Sequence, residues 1–259
     1  MSTVFFADVL GFSEMASAPG AEPAVDALAD LARLSAGDLL ARHLSPSAGW
    51  GGRYGLSDSM FLVAEDPASA CAAAAEFCFS LAFYNSGLSS AVLVRGAIAS
   101  GEVRAAPPLF PETGRANLVG EAVVRAVLLE KSGAKGPRLL VSAEVAEAVR
   151  GTQVGWLLQP LGAAEELLWL LPPDPAAADG DMIAAVAQAA VGLFERHRGE
   201  SRVAAHYVGY LDLVTRALLR LRGWNAVVAD AALRHTGLER VRERLEDRAI
   251  VARLEELGL

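Results

Sequence analysis

Residues 6–13 read Phe-Ala-Asp-Val-Leu-Gly-Phe-Ser, and this stretch decides the fold. The apolar and β-branched residues around Asp8 predict a buried strand over residues 3–10 that carries one acid. Gly11 ends the strand, and Ser13 is expected to cap the helix that follows. A carboxylate in an apolar strand is costly unless something compensates it, and the turn after it offers backbone N–H groups to an anion. The pattern indicates a metal ion between the acid and a phosphate.

A second acid lies at the tip of a predicted hairpin over residues 53–64, within Tyr-Gly-Leu-Ser-Asp-Ser. If this hairpin lies beside the first strand, Asp8 and Asp58 converge. Two close carboxylates repel each other, and divalent cations remove that repulsion. Asp58 also suits a hairpin tip for turn reasons alone, and Asp8 can be read as a structural acid. Taken together, the two acids favour a metal pair over these alternatives.

The rest of the pattern predicts an α+β domain followed by an all-α region. We expect helices at 22–44, 67–84, 120–131 and 144–150, strands at 90–99 and 138–142, a Pro-rich loop at 105–117 and a closing hairpin at 154–171. This order resembles an elaborated ferredoxin-like sheet with helices on one face. The predicted catalytic domain is residues 1–172, with a linker at 173–180 and a helical region at 181–259. Helices are expected there at 181–198, 201–222, 224–235 and 238–257.

Composition restricts the function classes. The net charge of -8 argues against a general nucleic-acid binder, which would carry a basic stripe. Cys71 and Cys78 share a predicted helix face and are expected to be buried thiols, not a disulfide or zinc site. The first residues lack the basic start of a signal peptide, and no stretch reaches the roughly 18 apolar residues of a membrane span. We expect a cytoplasmic protein without nucleic-acid or membrane partners, whose histidines are structural or exposed.

Four segments in order resemble the class III nucleotidyl cyclases. Residues 6–13 are similar to the family's first strand, Phe-x-Asp-(Ile/Val)-x-Gly-Phe-(Ser/Thr). Asp58 stands where the family has its second metal acid, with Ser57 in place of the usual Gly. Residues 95–103 are similar to Arg-x-Gly-x-x-x-Gly-x-Val with the first Gly one place early, and residues 120–130 to Gly-x-x-Val-Asn-x-Ala-x-Arg-Leu-Glu.

The resemblance implies a ferredoxin-like cyclase catalytic domain and a phosphorus–oxygen lyase that uses two divalent metal ions, Mn²⁺ or Mg²⁺. It implies three metal donors, which are Asp8, Asp58 and the Val9 carbonyl. The amides of Gly11, Phe12 and Ser13 are expected to bind the β- and γ-phosphates. Lys131 and Lys135 are the only lysines of the chain, both follow the helix of the fourth segment, and either could reach the triphosphate. The active sites of the family lie at a dimer interface, so a head-to-tail homodimer is expected.

The sequence departs from the family in the fourth segment, where the family has an Asn and an Arg that stabilise the ribose and the transition state. At these two positions the chain has Val124 and Leu128. Arg125 lies on the same helix face as Leu128 and is the candidate catalytic cation, the alternative being a solvated or interface arginine. Arg95, in an apolar strand, must be paired, and we expect it to be a structural partner of an acid near the site, the alternative being a catalytic residue.

Base recognition departs as well. Tyr54 stands at the family's purine-reading Lys position, four residues before Asp58, and Asn117 at its partner position. Both can hydrogen-bond a base edge, and the ring fills space that a purine needs, although Tyr54 can equally be a core-facing strand aromatic. The pattern is similar to the pyrimidine cyclases of bacterial anti-phage systems called Pycsar, and Tyr54 resembles the uridylate members.

The resemblance therefore implies UTP as substrate, with cyclic UMP and pyrophosphate as products and a separate effector protein that reads the signal. Three alternatives stay open. A cytidylate cyclase and a purine cyclase share the fold, and the missing Lys at position 54 argues against the purine enzyme. The third is a catalytically silent cyclase-like module, which Val124 and Leu128 favour and the two acids disfavour.

Overall fold

The computed structural model describes residues 2–17, 19–36, 50–86, 92–107 and 117–259. Its strands in chain order are β1 (Ser2–Val9), β2 (Trp50–Leu56), β3 (Ser59–Ala64), β4 (Val94–Gly101), β5 (Arg104–Ala106), β6 (Asn117–Val119), β7 (Leu139–Val141), β8 (Leu158–Leu161) and β9 (Ala164–Leu167). Its α-helices are α1 (Phe12–Ser17), α2 (Glu22–Ala36), α3 (Pro67–Asn85), α4 (Glu121–Glu130), α5 (Ala143–Val149), α6 (Gly180–His197), α7 (Ser201–Trp224), α8 (Ala226–Leu233), α9 (Glu239–Arg242) and α10 (Arg248–Glu256). The predicted α+β architecture with a helical C-terminal region is confirmed.

Within the described residues the main sheet has seven strands in the order β2-β3-β1-β4-β7-β9-β8, and β5 pairs with β6 in a separate small sheet. β1 lies in the interior of the main sheet, antiparallel to β3 on one side and to β4 on the other. β4 and β7 run parallel, as expected for strands joined through a helical crossover. The interior position of β1 explains the unbroken apolar run from Val4 to Ala7.

Helices cover both faces of the sheet, which corrects the prediction of helices on one face. Val4 and Phe6 of β1 pack against α4 in a small cluster. Phe5 and Ala7 point the other way into the large core, which includes α3 and extends to α10. Because side chains alternate along a strand, the unbroken apolar run of β1 needs cover on both faces.

Several predicted boundaries shift. The helix expected at 22–44 ends at Ala36, and residues 37–44 lie outside the described part. The strand expected at 90–99 begins at Val94. Both ends of the expected loop at 105–117 carry strand residues, in β5 and β6. The single helix expected at 238–257 is two helices, because the side chain of Asp247 accepts hydrogen bonds from the first amides of α10 and starts a new helix there.

α3 meets the length and composition of a membrane span over Pro67–Tyr84, contrary to our expectation that no stretch would. Half of this window is buried inside the protein, as in the core helix of a globular fold. Cys71 and Cys78 of α3 are buried and free, as predicted. Burial raises the pKa of both thiols, which keeps them protonated and unreactive.

A buried group of charges joins the sheet to the C-terminal helices. Glu166 of β9 is fully buried and accepts hydrogen bonds from Arg138, at 2.9 Å, and from Arg216 of α7. Asp212 of α7 accepts from Arg138, at 2.5 Å, and from Arg253 of α10. Burial alone would lower the pKa of Arg138, but Glu166 and Asp212 outweigh it and raise that pKa. The guanidinium therefore stays charged and ties β7, β9, α7 and α10 together.

We expect Glu166→Ala to destabilise the protein by about 3–5 kcal/mol, because it leaves buried arginines short of their counter-charge. Urea unfolding measures this loss. Glu165→Ala is the matched control from the same strand. Its partner Arg150 has a side chain that is 59% exposed, so that change should cost about 1 kcal/mol or less. Equal losses in the two variants would contradict the structural role of the network.

Candidate active site

The β2–β3 hairpin brings its tip to the end of β1, as the sequence predicted. Asp8 lies directly opposite Ser59 in the β1–β3 ladder. The next backbone contact is a 3.1 Å hydrogen bond from the Val9 amide to the Asp58 carbonyl oxygen. Asp8 and Asp58 therefore lie on adjacent strand ends, beside the turn that leads into α1.

Asp8 is held in place by two side chains. Its Oδ1 accepts a hydrogen bond from the Ser59 hydroxyl at 2.7 Å, and its Oδ2 lies 3.5 Å from Arg95 Nη2. Arg95 Nε lies 2.6 Å from Glu130 Oε1 at the end of α4. The expected role of Arg95 as partner of an acid near the site is confirmed, and one guanidinium bridges two acids.

Glu130 is the most buried acid of this group, with a side chain that is 2% exposed. Burial raises its pKa, Arg95 opposes that rise, and the neighbouring charge of Asp8 adds to it. Asp8, Asp58 and Glu130 bring three carboxylates to this end of the sheet, against the cations of Arg95 and of Lys131, whose charge also acts on Glu130. The excess of negative groups favours binding of a positive ion here.

The donor set fits a hard divalent cation. The predicted donors are two carboxylates, Asp8 and Asp58, and the backbone carbonyl of Val9, and all-oxygen sets of this kind suit Mg²⁺ and Mn²⁺. In the described ranges no group of three or more His, Cys, Asp and Glu side chains is arranged as a metal site. A carboxylate has acceptor capacity for more than the two contacts that Asp8 makes, so its place in the network leaves room for a metal.

The turn at the hairpin tip is strained at Ser57. The tip has two residues, since Leu56 pairs with Ser59. Ser57 has φ = 55°, a left-handed conformation that non-glycine residues adopt at a cost, whereas Asp58 is not among the residues with positive φ. A type II′ turn requires a positive φ at the first of its two central residues only, and Gly is preferred there. Ser57 occupies that position. The geometry explains why the resembling family usually has Gly at this position.

The turn after β1 also depends on a left-handed residue. Gly11 has φ = 78°, and α1 begins directly after it at Phe12. The Gly11 carbonyl already accepts from the Met15 amide at 3.1 Å. Ser13 therefore lies inside the first turn of α1, and the prediction that it caps the helix is wrong, because Gly11 permits the chain to turn earlier.

Tyr54 lies on the same sheet face as Asp8. It pairs with Phe61, which pairs with Phe6, and the rings of Phe6 and Phe61 are 4.8 Å apart. Asn117 lies in β6, where its side-chain amide donates to the Pro107 carbonyl at 2.8 Å. Among the described contacts none joins Tyr54 to Asn117, so their common role in reading a base stays a prediction.

Arg125 points toward α5. Its guanidinium pairs with Glu121 at 2.8 Å and with Glu144 at 2.7 Å. Beside it, Val124 and Leu128 are 57% and 65% exposed, so α4 presents an apolar surface to solvent. An open cavity of about 590 Å³ borders Arg125 and Leu128, and neither metal-acid candidate lines it.

Lys131 and Lys135 are exposed and follow Glu130 in the chain, and the charge of Lys131 opposes the rise in the Glu130 pKa. Sequence reasoning did not single out Ser59 or Glu130 as site residues. The period-two alternation of β3 could have identified Ser59, since it places that residue opposite Asp8. A glutamate ending an otherwise apolar helix was the available signal for Glu130.

Among protein-family models and curated proteins, nothing matches this chain. Solved structures do. The guanylyl cyclase domain of the RhoGC fusion protein from the aquatic fungus Blastocladiella emersonii, a double mutant, is 21% identical with a TM-score of 0.50, over 64% of this chain and 91% of that domain. The adenylyl cyclase CyaB from P. aeruginosa is 16% identical, with a TM-score of 0.44 over 64% and 90%. A Trypanosoma brucei adenylate cyclase is 18% identical, with a TM-score of 0.44 over 65% and 89%.

The likeness to the fungal domain shows the fold. The chain has the class III nucleotidyl cyclase catalytic fold, as the four sequence segments predicted.

We expect Ser57→Gly to stabilise the protein by roughly 1 kcal/mol, because glycine adopts the left-handed conformation without the steric penalty. Thermal and urea unfolding measure the gain. Ser57→Ala is the control, since it removes the hydroxyl but keeps the penalty, and it should bring no gain. If both variants gave the same stability, the turn strain would not be the cause.

Proposed function

We propose that the protein is a nucleotidyl cyclase that converts UTP into 3′,5′-cyclic UMP and pyrophosphate. The observation that carries the proposal is the meeting of Asp8 and Asp58 at one end of the sheet, within a class III cyclase fold. Two acids beside a backbone carbonyl and a Gly turn are the arrangement that divalent ions and a triphosphate require.

Each part of the chain has a task in this proposal. Asp8, Asp58 and the Val9 carbonyl would hold two divalent ions, Mn²⁺ or Mg²⁺, which when bound supply charge stabilisation for phosphoryl transfer. The amides from Gly11 to Ser13 orient the β- and γ-phosphates, and Lys131 or Lys135 balances their charge. The ribose 3′-hydroxyl then attacks the α-phosphorus in line as pyrophosphate leaves, a step that depends mainly on positioning.

The base assignment rests on Tyr54 and Asn117. Tyr54 is half-buried on the face that Asp8 shares, in a row of aromatic side chains with Phe61 and Phe6. A ring in this place leaves less room for a purine than a flexible lysine does. Its hydroxyl and the Asn117 amide can each hydrogen-bond a uracil edge.

The proposed enzyme is a homodimer with its sites at the interface. Three apolar residues of β6 and α4 support this assignment by their exposure, which is 48%, 57% and 65% for Val119, Val124 and Leu128. A second subunit would cover them. The proposed biological role is an anti-phage signal made in the cytoplasm and read by a separate effector, and it rests on the resemblance to the Pycsar uridylate cyclases.

Incubation of the wild-type protein with each of the four NTPs and Mn²⁺, followed by mass spectrometry, should give cyclic UMP from UTP. Exclusive turnover of ATP, GTP or CTP would replace the uridylate assignment by the purine or cytidylate alternative. Asp58→Asn should lower turnover by about a hundredfold or more at unchanged folding. Asp181→Asn, which alters an exposed acid in the first turn of α6, is the matched control and should leave turnover unchanged.

A silent cyclase-like module is the second candidate. The side chains of α4 favour this candidate. Val124 and Leu128 have no polar group, and Arg125 forms ion pairs with two glutamates. Such a module would bind nucleotide or a partner without turning it over. Absence of product from every NTP, with retained binding of Mn²⁺–UTP, would support it.

Arg125→Ala tests the proposed transition-state cation. We expect kcat to fall by about a hundredfold, while stability falls by less than about 1 kcal/mol, because both ion pairs are exposed. Arg150→Ala borders the same cavity, and kcat should not change in that control. If kcat is unchanged in Arg125→Ala, Arg125 is not the cation that stabilises the transition state.

A further inference from the structure

The segment that carries both lysines is clamped by a helix of the C-terminal region. We call residues 131–138 the Lys loop, which runs from the end of α4 to the start of β7. His206, Gly209 and Asp212 of α7 contact it, and their spacing of three residues keeps them on one side of that helix.

The first contact is a hydrogen bond from the Gly136 amide to His206 Nδ1, at 3.3 Å. This bond requires an unprotonated Nδ1. Burial lowers the pKa of His206, the charges of Lys135 and Arg95 lower it further, and Glu14 of α1 opposes them. The charges that act on His206 therefore come from α1, from β4 and from the Lys loop itself.

The second contact is direct backbone packing. A Cβ atom added at Gly209 would lie 2.2 Å from the Lys135 carbonyl oxygen. One added at Gly136, which has φ = 95°, would lie 2.7 Å from the Gly209 carbonyl carbon. Backbone cannot approach backbone this closely unless both residues are glycine, so the sequence of α7 is fitted to the Lys loop.

The third contact fixes the end of the loop. Arg138 donates to the Lys135 carbonyl at 2.9 Å and to Asp212 of α7 at 2.5 Å. Next to it, the Pro137 carbonyl accepts from Trp169 at 2.6 Å, and the Trp169 ring packs on Tyr210 of α7. The loop is therefore held at positions 135 to 138 from one helix face.

We propose that α7 is a positioning element of the active site, which holds the Lys loop so that Lys131 and Lys135 meet the triphosphate of a nucleoside triphosphate. This inference rests on the proposed function, because the lysines need a triphosphate to act on. It gives the C-terminal helices a role in substrate binding. His206 is a positioning residue that acts through Gly136.

The test compares two pairs of variants in the full-length protein. Gly209→Ala forces the Lys loop away from α7, whereas Gly223→Ala makes the same change in the same helix where nothing lies within 4 Å of the new Cβ. His206→Ala removes the acceptor for the Gly136 amide, whereas His206→Asn keeps one in its side-chain oxygen. Two quantities are measured, hydrogen exchange of the loop amides without nucleotide and the KM for Mn²⁺–UTP.

We expect Gly209→Ala and His206→Ala to speed exchange in the Lys loop and to lower kcat/KM by about ten- to a hundredfold, mainly through KM. Gly223→Ala and His206→Asn should stay close to wild type in both quantities. A merely structural role would lower the folded fraction and the apparent kcat without moving KM. If Gly209→Ala does not fold, the comparison of His206→Ala with His206→Asn tests the inference.

Two failures can be told apart. In the first, the wild-type protein turns over UTP, but Gly209→Ala and His206→Ala leave the KM or the hydrogen exchange of the Lys loop amides unchanged. This result overturns the inference and leaves the proposed function standing. In the second, the wild-type protein turns over none of the four NTPs. This result overturns the proposed function and the inference together, even if hydrogen exchange shows that α7 holds the Lys loop.

Discussion

The register of β1 between β3 and β4 is the constraint on which the rest of the structure depends. With Asp8 opposite Ser59 and Arg95, the acid lies on the face that α4 covers. A slip of one residue would turn that carboxylate into the large core and leave it without a polar partner, at a cost of several kcal/mol. Phe5, Ala7 and Val9 are buried on the other face of β1, and their burial prevents this slip.

Electrostatics then decides what this end of the sheet can bind. Arg95 holds Asp8 and Glu130 at once, so the Asp8 side chain is ordered before any ligand arrives. Ordering the acid in advance lowers the entropy cost of binding a cation. Arg95 and Lys131 are two cations against three carboxylates, and the remaining negative charge, with Asp58 at the tip of a strained turn, is what a divalent ion would neutralise.

Much of this arrangement was readable in the sequence. The Asp8 strand, the Asp58 hairpin and the need for a partner at Arg95 followed from local patterns, because an acid or cation in an apolar run must be compensated. The apolar run of β1 also required helices on both faces, and the one-face prediction overlooked this. The α7 contacts with the Lys loop were not readable, because Gly136 and His206 are seventy positions apart and no periodicity links them. Likewise, the break before α10 depends on a single capping residue, Asp247, inside an otherwise continuous amphipathic pattern.

The apolar surface of α4 leaves Arg125 as the cation nearest the positions where the resembling family steadies its transition state. Its two ion pairs do not forbid that role. Arg125 is 41% exposed at its side chain, and its partners Glu121 and Glu144 are 56% and 47% exposed, so water screens both pairs and each contributes about 1 kcal/mol or less. A bound triphosphate carries several negative charges in a partly desolvated cleft, where a charge-assisted hydrogen bond is roughly twice as strong as a neutral one. The physical barrier to recruiting Arg125 is therefore the reach of its side chain around α4, since the energy of its present contacts is small.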